Sequence, residues 1–188
     1  MPTIITGETG VNQITDGVIT ANDLASGSVT TAKIGDANIT QAKLAAGVVG
    51  NGPAFNAYSS STTSIPNTTW TKIAINTVLF DTNSNFNTSL YRFLPTVAGY
   101  YQINGMVQII STSVAYAIAI WKTGTQISQS SGIGVSGLNG TANTSATIYL
   151  NGSSDYIELY MYQTSGSTLN AGAGFGVTGL SGFLARAA

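Results

Sequence analysis

From Tyr101 to Ile109 apolar and polar side chains alternate, with Tyr101, Ile103, Val107 and Ile109 set against Gln102, Asn104 and Gln108. A period of two places the two sets on opposite faces of an extended strand. Just before it, the apolar segment Tyr91-Arg-Phe-Leu is stopped by Pro95, which has no N–H for a ladder, and Ala98-Gly99 supplies a turn with φ above zero expected at Gly99. The pattern predicts strand, sharp turn, strand, with Phe93 and Tyr101 brought into one core. Further strands are expected at about 54–60, 70–80, 90–94, 99–111, 113–122, 125–135, 142–151, 155–163 and 174–185, separated by Asn, Ser, Gly and Pro. Many short strands with no helical period between them predict an all-β sandwich or jelly roll.

A different period governs the start of the chain. Ile14, Ile19, Leu24, Val29, Ile34, Ile39, Leu44 and Val49 fall on every fifth residue. Over this lies a ten-residue repeat, in which Val18–Ala25, Ser28–Gly35 and Asn38–Ala45 align column by column, each with a Thr placed to cap one short turn. Five is neither 3.6 nor 2, so no single helix or strand gathers these side chains on one face. One buried Ile or Leu contributes about 1.5–3 kcal/mol, whereas ordering five backbones costs about 5–10 kcal/mol. Such a unit is either an unfolded linker or one of several copies whose apolar rungs meet on a common axis. Gly47, Gly50, Gly52 and Pro53 form a natural joint, dividing residues 1–52 from 53–188.

Two later strands carry outward patterns of their own. In the strand from residue 155, Ile157, Leu159 and Met161 share the core face, and Tyr156, Tyr160 and Tyr162 share the other with Glu158. A tyrosine row in bulk water is an unusual apolar patch, which suggests packing against another subunit or a carbohydrate-binding face. Residues 114–122 set Val114, Tyr116, Ile118 and Ile120 against Ala115, Ala117, Ala119 and Trp121, and the pattern leaves open whether the alanine face is covered or exposed.

Composition narrows the chemistry. The chain has 188 residues, 7% of them charged, a net charge of −1 and no basic run, which removes the footprint of a nucleic-acid binder. It contains no cysteine and no histidine, so ordinary zinc sites, thiolates and imidazole acid–base chemistry are excluded. Three of the seven carboxylates, Asp81, Asp155 and Glu158, lie after residue 53, and the last two point to opposite faces of one strand, a poor arrangement for a glycosidase. Asp81-Thr-Asn83-Ser-Asn85 starts like a calcium loop but has Phe86 where glycine is required. The expectation is therefore a protein that is not an enzyme, with no catalytic residue, metal or cofactor. The amino terminus lacks a basic region followed by an apolar run, and the run Val114–Trp121 is too short to span a bilayer, so neither a secretory signal nor membrane insertion is expected.

The corner around Pro95 also carries a likeness. Asp81, four residues, Phe86, six residues, Phe93, five residues, Gly99, one residue and Tyr101 resemble the signature of the complement C1q globular head, with Ile75 and Ile103 where phenylalanine is usual. Ala54-Phe55-Asn-Ala57, Asp155–Met161 and Leu180-Ser-Gly-Phe-Leu184 extend the likeness over about residues 53–188. It implies a C1q-like or tumour-necrosis-factor-like jelly-roll head, a homotrimer, and a trimer interface built on Tyr156, Tyr160 and Tyr162. It also leaves open a calcium ion near Asp81 or at the trimer axis. The repeats of the form apolar-Thr-x-Ala-Lys-apolar resemble threefold-intertwined bacteriophage fibre stalks. Together these imply a bacteriophage virion protein exposed on the particle: a fibre or spike whose head meets a host-surface glycan or protein. The alternative is a capsid decoration protein held to other virion proteins through its amino-terminal segment.

Overall fold

The computed structural model describes residues 26–35, 52–111, 113–134 and 137–188. The chain divides into two units, Met1–Gly50 and Asn51–Ala188. Among the described residues of the first, a 3₁₀ turn spans Thr31–Lys33, within the repeat Ser28–Gly35. The Lys33 amide donates to the Thr30 carbonyl at 2.9 Å, and Lys33 Nζ donates to the Ser28 carbonyl at 2.8 Å. Of the expected rungs, Val29 and Ile34 are described, and both are exposed in the single chain. Ile14, Ile19, Leu24, Ile39, Leu44 and Val49 lie outside the described residues.

The second unit is all β, as the alternation predicts. Its strands are β1 (Ala54–Tyr58), β2 (Thr63–Ile65), β3 (Thr71–Lys72), β4 (Thr77–Asp81), β5 (Phe86–Asn87), β6 (Arg92–Phe93), β7 (Gly99–Ile109), β8 (Ala115–Lys122), β9 (Thr125–Ile133), β10 (Gly140–Leu150), β11 (Ile157–Gln163), β12 (Leu169–Ala171) and β13 (Gly179–Ala187). The first sheet runs β2-β12-β7-β13-β1-β4, with β10 paired along β7; the second runs β5-β6-β11-β8-β9, with β3 on β11. After β7 the chain crosses to the second sheet for β8 and β9, returns for β10, crosses again for β11 and returns for β12 and β13. Antiparallel strands dealt alternately to two layers make a jelly roll.

The layers close on an aromatic centre. Phe55 stacks on Phe93 with ring centroids 4.1 Å apart and lies 5.4 Å from Phe86, and Phe93 meets the edge of Tyr101 at 5.7 Å. The corner thus brings Phe93 and Tyr101 together as expected, and Ile75 and Ile103 are fully buried where the C1q pattern has phenylalanine. Tyr101 keeps its hydroxyl satisfied by donating to the Val97 carbonyl at 2.7 Å, and burial pushes its pKa up to about 12.

Gly99 serves a different purpose from the one expected. It is the first residue of β7, and its φ is not positive. A Cβ there would collide with the Arg186 carbonyl of β13. Close approach of two backbones, rather than turn geometry, demands glycine at this position. Gly182 is constrained similarly, because a Cβ would lie 2.6 Å from Ile103 Cδ1 and 3.0 Å from the Phe55 ring.

Two of the expected strands depart from expectation by more than two residues. The stretch 70–80 breaks between β3 and β4, where the Ile75 amide donates to the Ile73 carbonyl at 3.0 Å and turns the chain. Residues 174–178 form a turn in which the Val177 and Thr178 amides both donate to the Gly174 carbonyl, at 3.1 and 3.3 Å, so β13 starts at Gly179. The short strands β2, β5 and β12 have too few residues to show an alternation.

Candidate interaction surfaces

Each sheet presents one face to the core and one outward, so two surfaces are available for function. On the first sheet the even-numbered residues of β7 and the odd-numbered residues of β10 point out, following their alternating burial. Register places Tyr100 beside Tyr149, Gln102 beside Thr147 and Phe183, Asn104 beside Ser145 and Ser181, and Met106 beside Asn143. Strands β1, β7 and β10 contain no charged residue. The Thr147 hydroxyl donates to Gln102 Oε1 at 2.8 Å, and Gln102 Nε2 donates to Asn104 Oδ1 at 3.3 Å. Around these amides lie exposed rings: Tyr100 (48%), Tyr149 (42%), Phe183 (50%) and Phe80 (47%). Between Asn56, Asn104, Asn143, Met106, Tyr58 and Phe175 the surface hollows into a depression of about 490 Å³.

The second sheet carries the tyrosine row, and there the rings are held by the chain itself. Trp121 on β8 stacks on Tyr160 at 4.5 Å. Trp70, just before β3, lies 5.5 Å from Tyr162 and 6.2 Å from Trp121, and the Arg92 guanidinium lies 4.5 Å from the Tyr156 ring. Glu158 is buried beneath the row. It accepts Lys72 Nζ at 3.0 Å through one oxygen and the Tyr160 hydroxyl at 3.1 Å through the other. Burial, and secondly the Glu158 charge, push the Tyr160 pKa up to about 12.

The alanine face of β8 is both covered and exposed. Ala119, opposite Tyr160 in the ladder, is fully buried and Ala117 nearly so, while Ala115 is open to solvent. The signal for this cluster lay in the sequence, since Trp121 shares the alanine parity, but Trp70 follows no strand alternation and gave no sign of joining it.

The remaining sequence-derived positions have structural duties. Asp81 Oδ2 accepts the Phe86 amide at 2.6 Å and Oδ1 the Asn83 amide at 3.3 Å, so its carboxylate closes the turn between β4 and β5. With Phe86, Phe93, Gly99 and Tyr101 it frames the aromatic core. Lys122 pairs with Asp155 at 2.9 Å and donates to the Tyr149 carbonyl at 2.8 Å, joining the end of β8 to β10. Burial alone would raise the Asp155 pKa, but hydrogen bonds from Lys122 and the Asn151 amide outweigh it and the net shift is downward. Among the described residues no group of three or more carboxylates is placed to hold a metal ion.

This two-layer arrangement is a jelly roll of the C1q and tumour-necrosis-factor type. The globular domain of zebrafish complement 1qA protein superposes with a TM-score of 0.56 at 16% identity, over 73% of this chain and 99% of that one. Eiger TNF of S. frugiperda gives 0.58 at 8% identity, over 73% and 94%. PRD1 vertex protein P5 gives 0.53 at 18% identity, over 71% and 97%. No protein-family model and no curated protein sequence matches the chain.

Proposed function

We propose that the chain is a non-enzymatic, homotrimeric structural protein of a bacteriophage virion, associating through the outer face of its first sheet. The observation that carries this is the aromatic surface of that face, uncharged along β1, β7 and β10 with Arg186 at its edge beside Tyr100: Tyr100, Tyr149, Phe80 and Phe183 are each about half exposed, around amides that hydrogen-bond one another. A surface of that kind is stabilised by a second copy of itself more readily than by water. The tyrosine row of the second sheet is the rival interface, but Trp70, Trp121, Arg92 and Glu158 already occupy Tyr156, Tyr160 and Tyr162. The pentad rungs give a second reason for association, since Val29 and Ile34 face solvent in the single chain.

The virion assignment is supported by the repeat and by the fold likeness to a vertex protein. We favour a fibre or spike whose head meets the host surface. A shell-mounted decoration protein is the second reading, favoured by the same likeness, since a vertex is part of a shell. Light scattering tests the association: three chains of 19.3 kDa each are expected, and Tyr100→Arg combined with Phe183→Arg should release monomers while Tyr162→Arg should not. A wild-type mass of one chain, or dissociation by Tyr162→Arg alone, overturns the assignment of the first face. Copy number per particle then separates fibre from shell, a few trimers against hundreds of chains.

A further inference from the structure

The outer face of the second sheet holds an open cleft of about 360 Å³ beside the tryptophans, lined by Trp70, Ala115, Ala117, Gln129, Tyr162 and Thr164. We propose that this cleft binds a neutral saccharide unit, stacked on the Trp70 and Tyr162 rings and hydrogen-bonded by Gln129 and Thr164. The inference rests on the reading that the first face associates and leaves the second free, and it names the chemistry of the partner.

Four observations converge. The rings are pre-set, because Trp70 is held against Tyr162 and Trp121, and Trp121 against Tyr160, so a ligand orders few rotors on arrival. The space is kept open by small side chains: Ala115 and Ala117 occupy the strand face on which Trp121 shows that a large ring is accommodated, and Ala115 remains exposed. Both hydrogen-bonding senses are offered at the rim. Gln129 Oε1 is taken by Gln126 Nε2 at 2.9 Å, which turns the Gln129 NH₂ donors outward from that bond. The Thr164 hydroxyl donates to the Ala115 carbonyl at 3.3 Å, which leaves its lone pairs to accept. Lastly, no lining residue is ionisable apart from tyrosine, and the neighbouring Glu158 is neutralised by Lys72. A phosphate, sulfate or acidic sugar finds no counter-charge there. Flat apolar ring faces with a few placed amides and hydroxyls match the two faces of a sugar ring, apolar C–H above and hydroxyls at the edge.

The chain contains two tryptophans; Trp70 lines the cleft and Trp121 lies against Trp70 at 6.2 Å, so the intrinsic tryptophan emission comes wholly from the cluster at the cleft. The full chain is titrated with glucose, galactose, N-acetylglucosamine and their β-linked oligomers, with mass followed by light scattering in the same samples. A saturable emission change with at least one probe is expected, weakened about tenfold or more in Trp70→Ala and in Ala115→Leu. Ala115→Leu keeps every ring and adds bulk at an exposed position, so its loss reports a filled cleft rather than a damaged fold. No saturable change with any probe, or a change that Ala115→Leu leaves intact, overturns the proposal. Saturable binding of an apolar peptide with no response to any sugar overturns it equally. A monomer that binds sugar removes the association reading and keeps this one.

Discussion

The two outward faces of the head solve the problem of exposed aromatic rings in opposite ways. On the second sheet each ring has a partner within the chain: tryptophan on tyrosine, guanidinium on tyrosine, and hydroxyl on a carboxylate that is itself paired. On the first sheet the contacts are fewer: Tyr100 meets Tyr149 at 5.5 Å, Lys122 Nζ lies 5.9 Å from the Tyr149 ring, and Phe183 and Phe80 stand about half exposed. If association runs through the first face, as proposed, stability and association fall on different surfaces. The ring contacts of the second face then belong to folding, and the exposed rings of the first are left for a partner.

Substitutions can test this division of labour. Phe93→Ala removes the ring shared by both layers, and a loss of about 3–5 kcal/mol is expected, seen in denaturant unfolding as collapse of both faces together. Glu158→Ala should cost about 1–3 kcal/mol, because Lys72 and the Tyr160 hydroxyl lose their buried acceptor. Thr147→Ala, its counterpart on the first face, should change chain stability by less than about 0.5 kcal/mol. Equal effects of these two would show that the first face is as internally braced as the second.

The smallest effect is a pH dependence. Tyr101 and Tyr160 have pKa values raised from 10.0 to about 12, so the unfolded chain releases these protons first. The stability they contribute is fully present below about pH 10 and is lost as pH rises towards 12. Glu158→Gln removes the carboxylate charge that, after burial, holds the Tyr160 pKa up, and should lower it while leaving Tyr101 unmoved; tyrosinate absorbance during alkaline titration checks this.

Much of this architecture is legible in the order of the residues. The alternation in 99–109, the Phe93–Tyr101 corner and the core faces of β8 and β11 follow from a period of two, which a strand buried on one side cannot avoid. What escapes such a reading does so for physical reasons. Gly99 reads as a turn glycine because its chain neighbours suggest it, yet its constraint comes from Arg186, far along the chain. Trp70 joins the aromatic cluster through tertiary packing alone. The exposed rings of the first face are visible as Tyr100 and Tyr149, but an outward tyrosine gains meaning only when register sets it beside another.

One feature of the topology bears on force. Strand β1, reached through Pro53, is laddered on one edge to β13 and on the other to β4, both antiparallel. Tension applied along the chain from its amino-terminal side therefore draws β1 lengthwise between two neighbours, loading both rows of hydrogen bonds in shear and at once. They would have to fail together, whereas a strand peeled sideways releases its bonds singly. A fold entered this way resists being unravelled by a pull from its amino-terminal side.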